Sequence, residues 1–144
     1  MISTPRPTLQ LAAILRTLKE ATGPLSPPEI LRLSSRRARG LGIATVYRAL
    51  RRLLKDGELT CVQIPGAPPR YEQLGRGHHH YFRCRSCRTV FNIDGCPGNF
   101  GPLVPQGFRL EDHELVLYGL CSRCAKGNGW GRAAGGKMNH RKNP

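Results

Sequence analysis

The chain has 144 residues, with 23 Lys and Arg against 9 Asp and Glu, a formal net charge of +14 and a pI near 10.5. That length bounds it to one ordinary domain, or to two small ones that draw stability from a metal or a partner. The charge points to a polyanion, either nucleic acid or an anionic membrane surface. No apolar run approaches the ~20 residues a membrane span needs, and Met1 to Pro7 lacks the apolar core and cleavage site of a signal peptide. A soluble cytoplasmic protein with no membrane partner is therefore expected, and nucleic acid leads.

After a Pro-rich arm, Thr8 is placed to cap a helix whose Leu11, Ile14, Leu15 and Leu18 recur on one face until Gly23-Pro24 stops it. Ser26 and Glu29 then have capping-box spacing, with Pro27 at the first helical position of a second helix through Ile30, Leu31 and Leu33. A basic stretch, Ser34 to Gly40, leads into a third helix reaching Lys55. Its expected apolar face is Val46, Leu50, Leu53 and Leu54, with Tyr47, Arg48, Arg51, Arg52 and Lys55 opposite. Gly57 ends it, and Glu58 to Ile64 and Arg70 to Leu74 read as two strands around a Pro/Gly turn. Three helices and a two-stranded ribbon make a winged helix. In that plan the third helix enters the major groove, where cations bind phosphates and a few side chains near its start read base edges.

The next stretch concentrates metal chemistry. His78, His79 and His80 precede Cys84-x-x-Cys87, and Cys121-x-x-Cys124 follows much later. Two C-x-x-C turns supply the four thiolates of a closed, tetrahedral structural zinc shell; the alternative, a pair of disulfides, is disfavoured in a reducing compartment. Strands are expected on both sides of the first thiol turn, and Phe108 to Leu120 alternates as a further strand, with Leu115, Leu117 and Tyr118 available for packing. Gly95 to Gly107 holds too much Gly and Pro for a long helix. The residues after Cys124 are basic, Gly-rich and short of core formers, and are expected to form a disordered tail.

Taken together, Gly42-Ile43-Ala44-Thr45-Val46-Tyr47-Arg48, the His-rich run ending in Cys84-x-x-Cys87, and Leu117-Tyr118-Gly119-Leu120-Cys121-x-x-Cys124 resemble the ferric uptake regulator family of metal-dependent transcription factors over about Pro7 to Cys124. The resemblance implies an α+β fold: a winged-helix DNA-binding domain (1–75), a hinge (76–80), a small α/β dimerisation domain with structural zinc (81–125), and then the tail (126–144). It also implies a homodimer that grips an inverted-repeat operator in double-stranded DNA when metal is bound. Tyr47 and Arg48 match the DNA-contacting pair, Thr45 and Arg51 share their helix, and Arg6 stands where a basic residue ahead of the first helix reaches DNA.

The resemblance further implies a regulatory site at His78, His80, Cys96 and His113. At the position of the family's acidic ligand this chain has Cys96, and a thiolate shifts a mixed site away from iron or manganese toward zinc. The chain is thus most similar to the zinc uptake regulator branch, with about two zinc ions per chain. Cys96 also reads as a small packed thiol, in which case Glu111 or Glu114 would complete the shell. A second, hinge-spanning regulatory site would draw on Glu72, with His79 and Cys61 as candidates. The rival readings are an iron- or peroxide-responsive regulator of the same family and a zinc-ribbon RNA-binding protein. A zinc enzyme is not expected, because no H-E-x-x-H, H-x-x-E-H or H-x-E pairing with a thiol turn occurs.

Overall fold

The computed structural model describes residues 8–127. Three helices come first: α1 (Leu9–Glu20), α2 (Pro27–Ser34) and α3 (Ile43–Lys55). The Thr8 hydroxyl accepts the Leu11 backbone N–H at 3.2 Å and starts α1. At the start of α2 the Glu29 carboxylate accepts the Ser26 backbone N–H at 2.8 Å and the Ser26 hydroxyl at 2.7 Å, and Pro27 opens the helix. At the end of α3, Gly57 takes a positive φ of 73°, which lets the Glu58 N–H return to the Leu53 carbonyl at 2.9 Å.

The main core lies among these helices. Ile14 and Leu18 of α1, Ile30 of α2, and Val46, Leu50 and Leu53 of α3 close on one another with Leu25 and Leu59. Leu54 does not join them and is 36% exposed; with about 100° of rotation per residue it stands off the arc that Val46, Leu50 and Leu53 share. Leu50 is 1% exposed, so Leu50→Ala is expected to cost about 2–5 kcal/mol in urea unfolding while leaving metal content unchanged.

Strands β1 (Leu59–Val62) and β2 (Arg70–Gln73) pair antiparallel with Val62 opposite Arg70, forming the wing. Along β2 the alternation buries Arg70 and Glu72, two charged residues on one face. Leu25 and Tyr71 form an isolated antiparallel bridge that docks the loop before α2 onto the wing.

The second lobe is a three-stranded sheet in the order β4-β3-β5, with β3 (His80–Cys84) antiparallel to β4 (Val90–Ile93) and parallel to β5 (Val116–Gly119). Val90 packs with Val62 and Ile64 of the wing, flanked by Ala67, Tyr81 and Val116, so a small second core bridges the two sheets. A short 3-10 turn, Gly101–Leu103, is the one regular piece between β4 and β5.

Three expectations need correction here. Of Phe108 to Leu120, only Val116–Gly119 forms a strand. A strand needs a ladder partner, and β3 begins only at His80, just beyond Gly77 with its φ of 71°; pairing therefore starts with the Tyr81 N–H on the Leu115 carbonyl. Leu117 and Tyr118, expected to pack inside, are 44% and 38% exposed. Finally, α4 (Ser122–Gly127) carries regular structure past the boundary expected at residue 125; the rest of the tail, like Arg6, lies outside the described residues. Among the described residues no helix is long and apolar enough to cross a membrane.

Candidate metal centres and nucleic-acid interface

Parallel pairing of β3 with β5 sets Cys84 beside Gly119 and so delivers Cys121 and Cys124 to the turn that holds Cys87. The backbone N–H of Cys121 points at the Cys84 sulfur at 3.4 Å, and the sulfurs of Cys87 and Cys121 are 3.8 Å apart. The sulfurs of Cys84, Cys87, Cys121 and Cys124 all lie within 4.8 Å of one another. A tetrahedral zinc shell with Zn–S of about 2.3 Å has sulfur–sulfur edges of about 3.8 Å, so the set fits that ion. All six cysteines are free thiols.

The electrostatics agree with the geometry. Burial pushes the Cys84 thiol up, but the N–H groups of Cys121, Cys87 and Ser86 outweigh it and bring Cys84 down to about 6. Burial likewise opposes Cys87, and Thr89 overcomes it, lowering that thiol as well. Cys124 goes the other way: the Ser86 hydroxyl pulls it down, yet the sulfurs of Cys121, Cys84 and Cys87, together with burial, leave it raised. Four crowded sulfurs resist full ionisation unless a cation sits among them, which is the role a divalent metal fills.

The second cluster stands at the joint between the lobes. Gly77, with its φ of 71°, turns the chain so that His78 and His80 approach each other, with ring centroids 4.6 Å apart. From the other side, His113 Nε2 lies 3.1 Å from His78 Nε2 and 3.2 Å from the Cys96 sulfur. Phe100, from the Gly/Pro loop, lies against the His113 ring with centroids 4.3 Å apart. Ligand atoms of His78, His80, Cys96 and His113 are mutually within 4.8 Å. His80 is 1% exposed, and its Nε2 is buried without a hydrogen-bond partner. A buried imidazole with an unpartnered nitrogen, grouped with two more imidazoles and a thiol, fits a metal-binding residue, since the nitrogen otherwise bears an uncompensated desolvation cost. Burial, then His78, His113 and His79, lower the pKa of His80, which favours the neutral ring that coordinates.

A cleft of about 450 Å³ runs along this cluster, walled by Thr60 to Gln63 of the wing, His78 to Tyr81, and Asp112 to Val116. The cluster therefore has solvent access. Glu111, an alternative fourth ligand, is exposed, 4.0 Å from Arg109, and outside the group; Glu114 lines the cleft and is also outside it.

Glu72, His79 and Cys61 are placed differently. One Glu72 oxygen accepts the Tyr81 hydroxyl at 2.5 Å and faces His79 Nε2 at 3.0 Å, while His79 Nδ1 faces the Gly77 carbonyl at 2.8 Å. Each ring nitrogen of His79 thus lies within hydrogen-bond distance of an oxygen, and a neutral ring donates to only one of them. Cys61 is exposed, 3.6 Å from Gln63 Nε2, and lines the same cleft as His79, but Glu72, His79 and Cys61 do not form a group whose ligand atoms lie within 4.8 Å of one another. Burial and the Glu72 carboxylate push the Tyr81 hydroxyl well up, so it remains a donor to Glu72.

On α3, Tyr47, Arg48 and Arg51 are exposed and Thr45 is half-buried. Arg48 donates to the Thr45 hydroxyl at 3.1 Å, holding its guanidinium near the start of the helix. Among the described residues no carboxylate pairs with Arg48, Arg51 or Lys55, and Asp56 lies 3.6 Å from Arg52. The outer face of α3 is thus an uncompensated cationic strip.

The family model described as the ferric uptake regulator family matches residues 3–118. A ferric uptake regulation protein from Bordetella parapertussis is 37% identical over 90 residues, covering 60% of this chain and 65% of that one. One from Campylobacter jejuni is 29% identical over 130 residues, covering 81% and 78%. The chain thus spans just under two thirds of the Bordetella protein's length. Among solved structures, a zinc-bound manganese uptake regulator superposes with a TM-score of 0.69 at 28% identity, covering 81% of this chain and 90% of that one.

Proposed function

Because the chain belongs to the ferric uptake regulator family, we propose that it is a zinc-responsive DNA-binding transcriptional regulator acting as a homodimer on an inverted-repeat operator. The observation that carries the zinc assignment is the sulfur of Cys96, 3.2 Å from His113 Nε2, in a cluster otherwise made of imidazoles. Three nitrogens and one thiolate suit tetrahedral zinc better than the oxygen-rich shells that iron(II) and manganese favour.

Two sites divide the work. Cys84, Cys87, Cys121 and Cys124 would hold a structural zinc that staples the strand pair β3/β5 to α4. His78, His80, Cys96 and His113 would hold a regulatory zinc, whose charge allows a thiolate and three imidazoles to share one point. His78 and His80 come from the joint just after the wing, whereas Cys96 and His113 come from loops of the second lobe. Drawing them together fixes the angle of α3 relative to the dimerisation lobe, and hence the spacing of two recognition helices in a dimer. The regulatory effect equals the difference in metal affinity between DNA-competent and DNA-incompetent postures, and DNA must tighten zinc binding by the same factor.

At the DNA, Thr45, Tyr47 and Arg48 near the start of α3 are assigned to base edges and neighbouring phosphates, and Arg51 to phosphate. Arg51→Ala should weaken binding to operator and unrelated duplexes alike. It should also flatten the slope of log affinity against log salt by about 1 per site, measured by fluorescence anisotropy.

A second reading is favoured by one observation: the Bordetella and Campylobacter relatives are named for ferric uptake. In that reading the regulatory ion is iron. Metal analysis of protein purified anaerobically under reducing conditions separates the two, with two zinc ions per chain expected for the zinc regulator and one zinc plus iron for the other.

A further inference from the structure

Resting on the reading of the four-sulfur cluster as a zinc site, we propose that Arg70 is a positioning residue that ties the thiolate turn to the first turn of α2, so that the state of the cluster is felt in the DNA-binding lobe. Arg70 is 4% exposed and spans three acceptors on three segments. Its Nη1 donates to the Pro24 carbonyl at 3.1 Å and to Glu29 at 2.7 Å, and its Nη2 donates to the Arg88 carbonyl at 2.9 Å. Glu29 is the residue that caps α2, and Arg88 directly follows Cys87. Arg88 is also the one non-glycine residue with positive φ (62°) among the described residues, a conformation that persists only where its surroundings hold it.

A buried guanidinium is a costly way to add stability, and Arg70 Nε is left without a partner. What the fork provides is a fixed three-way geometry that an apolar side chain cannot supply. The neighbouring contacts clamp the same loop. A Cβ on Gly23 would stand 2.1 Å from the Val90 carbonyl oxygen of β4, so glycine is what allows the two lobes to close there. The Asn92 N–H donates to the Thr22 carbonyl at 2.9 Å. Arg76 donates to the Ala21 carbonyl at 3.3 Å and, with the Asn92 amide oriented to satisfy both groups, to the Asn92 oxygen at 3.0 and 3.1 Å. The loop between α1 and α2 is therefore seated on the second lobe, and Arg70 runs from that seat to the thiolate turn.

The test is hydrogen–deuterium exchange on the full-length, zinc-loaded chain before and after zinc is stripped by a chelator under reducing conditions. In the wild type, stripping is expected to speed exchange both in Cys84 to Thr89 and in Leu25 to Ile30, the latter roughly ten-fold, about the worth of one hydrogen bond from a charged donor. Arg70→Lys keeps a charge for Glu29 but loses the fork that reaches Arg88. In that variant Cys84 to Thr89 should still respond, while Leu25 to Ile30 exchanges fast from the outset and no longer responds. Gly23→Ala, which leaves Arg70 in place but lifts the loop, should behave like Arg70→Lys. A wild type whose thiolate turn responds while Leu25 to Ile30 does not, or an Arg70→Lys variant that responds as the wild type does, overturns the proposal. A Cys87→Ser chain that retains the wild-type zinc content overturns the reading of the cluster, and the proposal with it.

Discussion

Cys87→Ser is expected to abolish the structural zinc site and, with it, the fold of the second lobe. The four sulfurs are the main tie between the parallel pair β3/β5 and the short helix α4. The apolar material that remains there is slight: Val90 is the one buried aliphatic residue contributed by the sheet, supported by half-buried Tyr81 and Val116. Structural zinc sites supply apparent binding energies of about 10–16 kcal/mol in small zinc-finger peptides, far more than so small a core provides. Loss of β-sheet circular dichroism, dissociation to monomer in sedimentation, and loss of zinc from both sites, since His80, Cys96 and His113 belong to the same lobe, form the expected result. An intact dimer with unchanged zinc would show that the thiols are merely packed.

His80→Ala is expected to separate metal sensing from folding. His80 is the buried member of the regulatory cluster, and removing it takes away the orphaned nitrogen together with its desolvation cost. The folded lobe should therefore survive. One zinc per chain, still held by sulfur, and a native circular-dichroism spectrum are expected. Operator affinity at saturating zinc should fall about 5–150-fold, the range of a coupling of about 1–3 kcal/mol, to the level of the zinc-depleted wild type. A variant that still tightens on DNA when zinc is added would remove His80 from the regulatory ligands.

Much of this architecture is legible in the residues, and the parts that are not share a physical cause. Thr8, the Ser26/Glu29 pair, Pro27 and Gly57 mark helix ends through local chemistry, and the structure uses each of them at that place. The convergence of Cys84, Cys87, Cys121 and Cys124 is legible because two short thiol turns have few other ways to satisfy soft ligands. His78, His80, Cys96 and His113 come from three separate segments, and family resemblance rather than spacing is what groups them in the sequence.

What the residues conceal is pairing between distant strands. The alternation of Phe108 to Leu120 looks like one strand, but pairing depends on where β3 begins, and that in turn depends on the turn at Gly77. Arg70 is concealed for a related reason. In a basic chain one more arginine attracts no notice, although its position two residues from Glu72 on an alternating strand is the signal that both charges face inward. Cys61 belongs to the opposite case: its place on the wing makes it a candidate ligand, whereas its side chain is exposed and lies near Gln63.

In the proposed mechanism, zinc at the joint between the lobes governs the grip on DNA. Its most direct test is operator binding by the wild-type chain at buffered free metal concentrations, run in parallel with zinc, iron(II) and manganese(II) under anaerobic, reducing conditions. Affinity is expected to rise as the second zinc equivalent fills, at free zinc far below the iron or manganese concentration needed for the same effect. Affinity that stays flat across the zinc range, or that rises with iron or manganese at equal or lower free concentration, would contradict it.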